Sequence, residues 1–333
     1  MKTTDATSPA RSKRATRRLT GTIVAAALGI AAATGSSVAV AQQRTTPATD
    51  IRYKTVAVDG VNIFYREAGD PAKPTILLLH GFPASSHEFR TLMPLLSARF
   101  HLVAPDYPGF GFSGAPSAAR FAPTFANLTT VMDGFIRAVG LTRFTIYMQD
   151  FGGPVGFRLA VAHPDMVDGL VIQNANAYEV GIAPDVLHDM RARAAGPLDA
   201  KASAALEGML SPEGTKFQYL TGVRDPANVD PTSYRLDSFI QALPQQHRIQ
   251  RALIVDYYDN VRQYPAWRAY LKARQPRTLI LWGKNDPIFL PAGADAYRAD
   301  LPKAEVHMLD TGHFALEEDA EVAAKHILRT FRD

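Results

Sequence analysis

Short apolar runs recur along the chain and alternate with stretches of helical periodicity. The runs are bounded by Gly, Pro or polar residues, which is typical of strands buried on both faces of a parallel sheet. They are Thr75–Leu79, His101–Ala104, Phe144–Met148, Leu170–Ile172, Thr278–Leu281 and Val306–Leu309. Helical patterns include Phe89–Ser97, Thr124–Val139, Val155–His163 and the amphipathic segment Ala320–Phe331. This alternation predicts an α/β fold, a doubly wound and mostly parallel sheet with helices on both faces.

A β-hairpin is predicted ahead of these runs. Tyr53–Val58 and Val61–Arg66 are rich in β-forming residues and are separated by Asp59-Gly60. An Asp-Gly pair between two such runs favours a tight hairpin turn. We therefore expect the sheet to begin with antiparallel strands.

A long segment without a clear buried strand lies between Asn174 and Arg277. It is rich in helix formers and turn signals, and a segment of that length is expected to be a subdomain rather than a loop. We assign residues 177–269 to a helical cap above the carboxyl edge of the sheet, where open α/β sheets place their sites. Residues 53–176 and 270–333 then form the core.

The N-terminal residues 1–41 have the three parts of a secretory signal peptide. A basic segment precedes the apolar run Ile23–Ala33, and small residues end in Ala39-Val40-Ala41. The apolar run is shorter than the roughly 20 residues of a spanning helix. Arg17-Arg18 resembles a twin-arginine signal, so export of either the folded or the unfolded chain stays open. An uncleaved membrane anchor is the alternative to a cleaved signal. We expect a periplasmic or secreted protein, with residues 42–52 as a linker.

The charge of the chain is concentrated in that predicted signal. The sequence has 36 Lys+Arg and 32 Asp+Glu, a net charge of +4, whereas residues 42–333 carry 30 basic and 31 acidic residues. Basicity therefore gives no support to nucleic acid as a partner or to stable membrane insertion after cleavage. The absence of cysteine excludes a disulfide scaffold, a cysteine nucleophile and a Cys-ligated metal. We expect a small apolar substrate and water as the partners.

Asp150 stands where a predicted strand meets a predicted helix. Phe144–Gln149 precedes it and Gly152-Gly153-Pro154 follows, so the chain turns sharply at a polar side chain. This is the pattern of a nucleophile elbow, although Met148 replaces the glycine that usually stands two positions before the nucleophile. A second interpretation stays open, in which Asp150 caps the following helix.

Two further titratable side chains follow strand ends at the same predicted edge. Asp286 comes shortly after the strand that ends in Trp282, and His313 shortly after the strand that ends in Leu309. The order nucleophile, acid, histidine is that of α/β-hydrolases. The alternative is that Asp286 is a turn residue and His313 a capping group.

The loop His80-Gly-Phe-Pro83 follows the first central strand, at the place where this arrangement puts one oxyanion-hole N–H. We assign the oxyanion hole to the main-chain amides of Phe82 and Phe151. The sequence Gly109–Gly114 matches a dinucleotide-binding G-x-G-x-x-G. No acidic residue ends a strand about 20 residues later, so we interpret it as a structural loop and expect no nucleotide cofactor.

These motifs together resemble the α/β-hydrolase superfamily over about Tyr53 to Phe331. They are His80–Pro83, Asp106–Gly114, Gln149–Pro154, Trp282–Pro287 and Asp310–Phe314, in the order and spacing of that family. Asp at the elbow resembles the epoxide hydrolase and haloalkane dehalogenase branch. The resemblance implies an alkyl ester formed on Asp150 and hydrolysed by water that His313, oriented by Asp286, activates. It implies no metal or organic cofactor.

The resemblance also bears on the substrate. Dehalogenases hold the halide with a Trp after the nucleophile and often with an Asn in the HGNP loop, and these positions are Phe151 and Phe82 here. Met148-Gln149 nevertheless resembles dehalogenases. The fluoroacetate-type enzymes have an Arg directly after the nucleophile, which is missing. We expect Phe82, Phe151 and Trp282 to contact an apolar substrate.

Epoxide hydrolases of this family use two cap tyrosines to protonate the leaving oxygen. The sequence around Tyr219 and Tyr258 resembles those contexts, so we assign these two as the acid pair, with Tyr234 and Tyr257 as reserves. An epoxide hydrolase acting on small apolar epoxides is the main prediction. A haloalkane dehalogenase, an ester or lactone hydrolase and a non-catalytic binding protein remain as alternatives.

Overall fold

The structure is a computed structural model and describes residues 50–332. The predicted signal, residues 1–41, and residues 42–49 of the predicted linker lie outside the described residues, so both stay predictions. Asp50 and Ile51 precede the first strand, which begins at Arg52, one residue inside the predicted linker. Within residues 50–332 no helix combines the length and the apolar character needed to span a bilayer.

An eight-stranded sheet forms the centre of the fold, in the order β1-β2-β4-β3-β5-β6-β7-β8. The first three strands in that order pair antiparallel, and the rest pair parallel. The strands are β1 (Arg52–Val58), β2 (Val61–Ala68), β3 (Thr75–Leu79), β4 (His101–Pro105), β5 (Phe144–Gln149), β6 (Val167–Gln173), β7 (Arg277–Gly283) and β8 (Glu305–Leu309). The predicted α/β sheet is confirmed.

The predicted hairpin joins β1 and β2. Val58 pairs with Val61, and Asp59 and Gly60 both have positive φ angles, 47° and 78°. Two successive left-handed residues match the right-handed twist of the flanking strands, which is why an Asp-Gly pair is suited to this turn.

Eleven α-helices are present within residues 50–332. They are α1 (Leu92–Leu96), α2 (Phe125–Ala138), α3 (Gly152–Ala162), α4 (Pro184–Ala195), α5 (Ala200–Met209), α6 (Pro212–Leu220), α7 (Pro231–Gln241), α8 (Pro244–Asp256), α9 (Tyr258–Arg274), α10 (Pro291–Ala296) and α11 (Leu316–Thr330). Six of them, α4 to α9, fill the segment between β6 and β7 that was predicted to be helical. Since α9 continues to Arg274, it crosses the predicted cap boundary at residue 269. The division into core and cap stays a prediction.

Successive side chains of the central strands alternate between two apolar cores, one on each face of the sheet. On β3, Leu77 and Leu79 pack with residues of α2, α3 and the segment between β6 and β7. Ile76 and Leu78 pack on the other face with residues of α1 and α11. Successive side chains of a strand point to opposite faces, so one short apolar run contributes to both cores.

Two helices differ from the predicted ones. The predicted helix Phe89–Ser97 is divided into a 3₁₀ turn at Ser86–Phe89 and α1. Helix α11 begins at Leu316, four residues before the predicted Ala320, but its backbone is non-helical at Asp319 (φ −124°, ψ 26°), so the predicted segment begins directly after a kink. The turn before that kink contains Glu317, Glu318 and Asp319. Acidic side chains are favourable at a helix N-terminus but carry no apolar periodicity, so the hydrophobic pattern begins later than the helix.

Candidate active site

Asp150 occupies a strained turn between β5 and α3. Its φ of 46° lies in the left-handed region, where a non-glycine residue is uncommon and marks a functional or strained position. A Cβ at Gly152 would lie 2.2 Å from the Leu79 carbonyl oxygen, so the turn requires glycine there. The residue at the N-cap of α3 is Phe151, and no side chain caps the helix. The alternative role of Asp150 as a helix cap is therefore not seen.

The two oxygens of Asp150 face different groups. Oδ1 accepts a hydrogen bond of 2.7 Å from the Phe82 main-chain N–H, and Oδ2 lies 3.8 Å from Nε2 of His313. Burial raises the pKa of Asp150 above its ordinary value, while the charge of His313 and the N–H groups of Phe82 and Phe151 oppose this rise. Both amides assigned to the oxyanion hole thus act on the Asp150 carboxylate itself.

The loop that carries Phe82 passes directly against the elbow. A Cβ at Gly81 would lie 1.9 Å from Oε1 of Gln149 and 2.6 Å from Cβ of Asp150, so only glycine allows this approach. His80 supports the loop from behind, with Nδ1 at 2.8 Å from the Gly81 carbonyl oxygen and Nε2 at 3.3 Å from the Tyr107 N–H. Burial lowers the pKa of His80 to about 3, so this imidazole is neutral and structural.

His313 and Asp286 form a buried pair beside Asp150. Nδ1 of His313 lies 2.7 Å from Oδ2 of Asp286. Burial disfavours the imidazolium, but the Asp286 and Asp150 charges and the hydrogen bond that His313 donates to Asp286 outweigh it and raise the pKa of His313 to about 9. The imidazole is therefore held by Asp286 on one side and presents Nε2 to Asp150 on the other.

Asn174 is a further residue of the site, beyond those predicted from the sequence. It directly follows β6, has a φ of 41°, and donates from Nδ2 to Oδ2 of Asp286 at 2.7 Å. Its Oδ1 accepts from the Gly283 N–H at 3.0 Å. The N–H groups of Ile288 and Phe289 donate to the other carboxylate oxygen of Asp286. Asn174 had the same sequence signal as the others, a polar residue directly after a buried strand.

A cavity of about 390 Å³ opens above Asp150. Phe82, Phe151 and Phe289 line it near the carboxylate, and side chains of α4, α5 and α6 enclose it from above. Phe82 and Phe151, two of the three residues predicted to contact a substrate, therefore line the cavity above Asp150. An apolar cavity with few polar groups is the usual form of a small-molecule site.

Tyr257 is the tyrosine that lines this cavity. Its ring lies 5.6 Å from the ring of Phe151. Burial raises the pKa of Tyr257 well above its ordinary value, and the Tyr264 and Asp150 charges act in the same direction. The hydroxyl group consequently keeps its proton in the cavity.

The position of Tyr257 is fixed by its neighbours in sequence. Oδ2 of Asp256 accepts from the Phe125 N–H at the start of α2, at 2.8 Å. Arg158 of α3 donates to Oδ2 of Asp259 at 3.0 Å and also to Oδ1 of Asn260. These contacts tie the junction of α8 and α9 to α2 and to α3, the helix that begins at the elbow.

The structure does not place the two assigned acid tyrosines in the cavity. The Tyr219 ring stacks on Phe314 at 3.9 Å between centroids, and its hydroxyl donates to Oδ2 of Asp237 at 2.6 Å. The Tyr258 hydroxyl accepts from Nε of Arg191 at 3.1 Å in a separate surface depression. The reserve Tyr234 packs beside Tyr219. Adjacent helical residues point about 100° apart, so Tyr257 and Tyr258 cannot share one cavity wall.

Trp282 also lies away from the cavity. It is fully buried, and its indole N–H donates to the Phe289 carbonyl oxygen at 2.9 Å. Because Phe289 itself lines the cavity, Trp282 supports the wall from behind instead of contacting a substrate.

Comparison with known proteins gives matches over most of the chain. A family model described as alpha/beta hydrolase fold matches residues 74–320. An uncharacterized hydrolase of Saccharomyces cerevisiae is 39% identical over 285 residues, which cover 84% of this chain and 97% of that protein. A haloalkane dehalogenase of Bradyrhizobium diazoefficiens is 40% identical over 121 residues, 36% of this chain and 38% of that protein. Epoxide hydrolase 3 of Xenopus tropicalis is 36% identical over 116 residues, 35% of this chain and 31% of that protein.

Proposed function

The chain belongs to the α/β-hydrolase family, and on that premise we propose that it hydrolyses epoxides to vicinal diols through an ester on Asp150. The observation that carries this proposal is the protonated Tyr257 hydroxyl in the same cavity as the Asp150 carboxylate. Opening an epoxide creates an alkoxide, which needs a proton donor on the side of the substrate opposite the nucleophile. Tyr257 replaces Tyr219 and Tyr258 in that role.

In the first step, Oδ2 of Asp150 attacks an epoxide carbon and the carbon–oxygen bond of the ring breaks. The leaving oxygen takes the proton of Tyr257, which leaves a hydroxyalkyl ester and a phenolate. Oδ1 is held by the Phe82 N–H at 2.7 Å, which leaves Oδ2 as the attacking atom. The chemistry is nucleophilic catalysis by a carboxylate.

In the second step, His313 accepts a proton from a water that attacks the ester carbon. The pKa of about 9 belongs to His313 beside a charged Asp150. Ester formation removes that charge and so lowers the pKa of His313, which leaves more of the imidazole neutral and able to act as a base. The tetrahedral oxyanion forms at Oδ1, where the amides of Phe82 and Phe151 stabilise it. His313 then protonates the departing diol, and the new carboxylic acid returns its proton to the Tyr257 phenolate.

A haloalkane dehalogenase is the second candidate. The same attack by Asp150 would expel a halide, and the match to the Bradyrhizobium dehalogenase supports this reading. A departing halide needs N–H donors, however, and the side chains of Phe82 and Phe151 at the cavity floor have none. Because neither side chain can bind a departing halide, Phe82 and Phe151 favour an epoxide over a haloalkane as the substrate.

Mass spectrometry of the His313→Gln variant tests the proposal. The variant lacks the base for the second step, so an ester on Asp150 should accumulate. We expect a covalent adduct on Asp150 with a styrene-oxide-like epoxide and none with a 1-haloalkane. The double variant Asp150→Asn, His313→Gln is the matched control and should give no adduct. An adduct from the haloalkane alone would overturn the epoxide assignment in favour of dehalogenation.

A further inference from the structure

Arg193 is a cation in a cavity that is otherwise largely apolar. It lies on α4, has 7% of its surface exposed, and lines the same cavity as Asp150. Neither the proposed attack on an epoxide nor the hydrolysis of the ester uses it. A guanidinium at this place needs a separate explanation, because burying a charge is costly unless a partner compensates it.

The guanidinium of Arg193 has no partner among residues 50–332. It makes no hydrogen bond, ion pair or contact with an aromatic face there, and its Nε is buried and unpaired. Other arginines of the same region are paired: Arg191 binds Glu179, and Arg251 binds Glu207. Arg193 thus combines burial with the absence of such a partner, and it is the arginine that lines the cavity.

Asp189 is the acidic residue that acts on Arg193. It precedes Arg193 by one helical turn and lines the same cavity, and its charge opposes the lowering of the Arg193 pKa by burial. Residues four apart on a helix often pair. Here the two form no ion pair, and Asp189 remains exposed. The donors of Arg193 are therefore free to bind a ligand.

We infer that Arg193 binds a carboxylate on the substrate while the epoxide lies over Asp150. A guanidinium matches a carboxylate with two parallel N–H···O bonds, and the apolar side chains that line the same cavity fit an alkyl chain. The substrate class is then an aliphatic epoxy acid small enough for a cavity of about 390 Å³. This inference rests on the proposed function, and it changes the expected substrate from uncharged to amphiphilic.

Kinetics with matched substrates test the inference. Terminal epoxides that carry a carboxylate, in a series of increasing chain length, are compared with their primary amides. We expect the wild-type kcat/KM to favour the carboxylate by about ten- to a hundredfold at the best length, the range for a hydrogen bond to a charged group. Arg193→Gln should remove this preference mainly through KM, and Arg193→Lys should restore part of it.

Arg191→Gln is the matched control, because it removes the same charge from the same helix outside the cavity. It should retain the preference for the carboxylate. The inference is overturned if the wild type prefers the amide or treats both alike, or if Arg193→Gln keeps the preference. Thermal denaturation of each variant establishes that it is folded.

A binding measurement separates this inference from the proposed function. Calorimetric titration with saturated straight-chain carboxylates and their amides needs no turnover. Tighter binding of the carboxylate that weakens with salt and disappears in Arg193→Gln supports the subsite even when no epoxide is hydrolysed. Hydrolysis of epoxides without Arg193-dependent carboxylate binding overturns the subsite and leaves the proposed function standing.

Discussion

The main-chain N–H of Phe82 donates to Oδ1 of Asp150 at 2.7 Å, so the carboxylate that we propose as the nucleophile already contacts one amide of the proposed oxyanion hole. In the proposed mechanism Oδ1 becomes the ester carbonyl oxygen and is already in place, whereas Oδ2 attacks. That mechanism needs no rearrangement of the protein between attack on the substrate and stabilisation of the tetrahedral intermediate, which is what electrostatic preorganisation means.

A single turnover in water labelled with heavy oxygen tests this division of roles. With enzyme in excess over epoxide, we expect the diol to be unlabelled and the label to enter the Asp150 carboxylate, because water attacks the ester carbon and the product leaves with Oδ2. Peptide mass spectrometry measures the label. A labelled diol in the first turnover would mean that water attacks the substrate directly.

The tyrosine pair Tyr257 and Tyr258 provides a matched comparison for the proton donor. Tyr257→Phe removes the hydroxyl in the cavity, and we expect kcat/KM for an epoxide to fall about a hundredfold or more, as for the loss of a general acid. Tyr258→Phe removes the same atoms outside the cavity and should leave it unchanged. Steady-state kinetics on both variants decide the assignment, and equal effects would remove Tyr257 from the mechanism.

Asn174 is expected to tune the base through Asp286. Asn174→Asp keeps the shape and tolerates the left-handed backbone, but it replaces the donor to Asp286 with a second carboxylate. The added negative charge should raise the pKa of His313, so hydrolysis of the ester should slow by about tenfold or more, and the pH at which this step is fastest should move upward. Pre-steady-state kinetics should show alkylation slowed less than hydrolysis. Equal slowing of both steps would argue against this role.

The raised pKa of His313 makes stability depend on pH. Its folded-state pKa is about 9 against an ordinary value of 6.5, so protonation stabilises the fold fully below pH 6.5. That contribution is lost as the pH rises through about 9. We expect the free energy of unfolding of the wild type to fall over this window by more than that of His313→Gln. Denaturant titrations at several pH values measure the difference, and parallel curves would contradict the shift.

The sequence allowed the three core site residues to be predicted for a simple physical reason. The carboxyl ends of parallel strands meet at one sheet edge, so residues that follow β5, β7 and β8 must lie near one another. Asp150, Asp286 and His313 follow these strands. Asn174 obeys the same rule after β6 and could have been included.

The tyrosine that we propose as the acid could not be chosen from the sequence in the same way. The choice between Tyr257 and Tyr258 depends on the rotation of α8 and α9, because one residue turns a side chain by about 100°. That rotation is set by contacts with residues far along the chain, those of Asp256 with Phe125 and of Arg158 with Asp259. The pairing of Tyr219 with Asp237 is likewise a tertiary contact that no local pattern encodes.

The hydrogen bonds from Arg158 to Asp259 and Asn260 bear on which parts of the protein can vary in sequence. Helix α3 begins beside Asp150 and, through Arg158, also holds the segment that carries Tyr257. One helix thus fixes the distance between Asp150, the proposed nucleophile, and Tyr257, the proposed proton donor. Helices α4 to α6, which carry Arg193 and much of the cavity wall, take no part in these contacts of Arg158. We expect substitutions in these helices to alter substrate choice while Asp150 and Tyr257 keep their spacing.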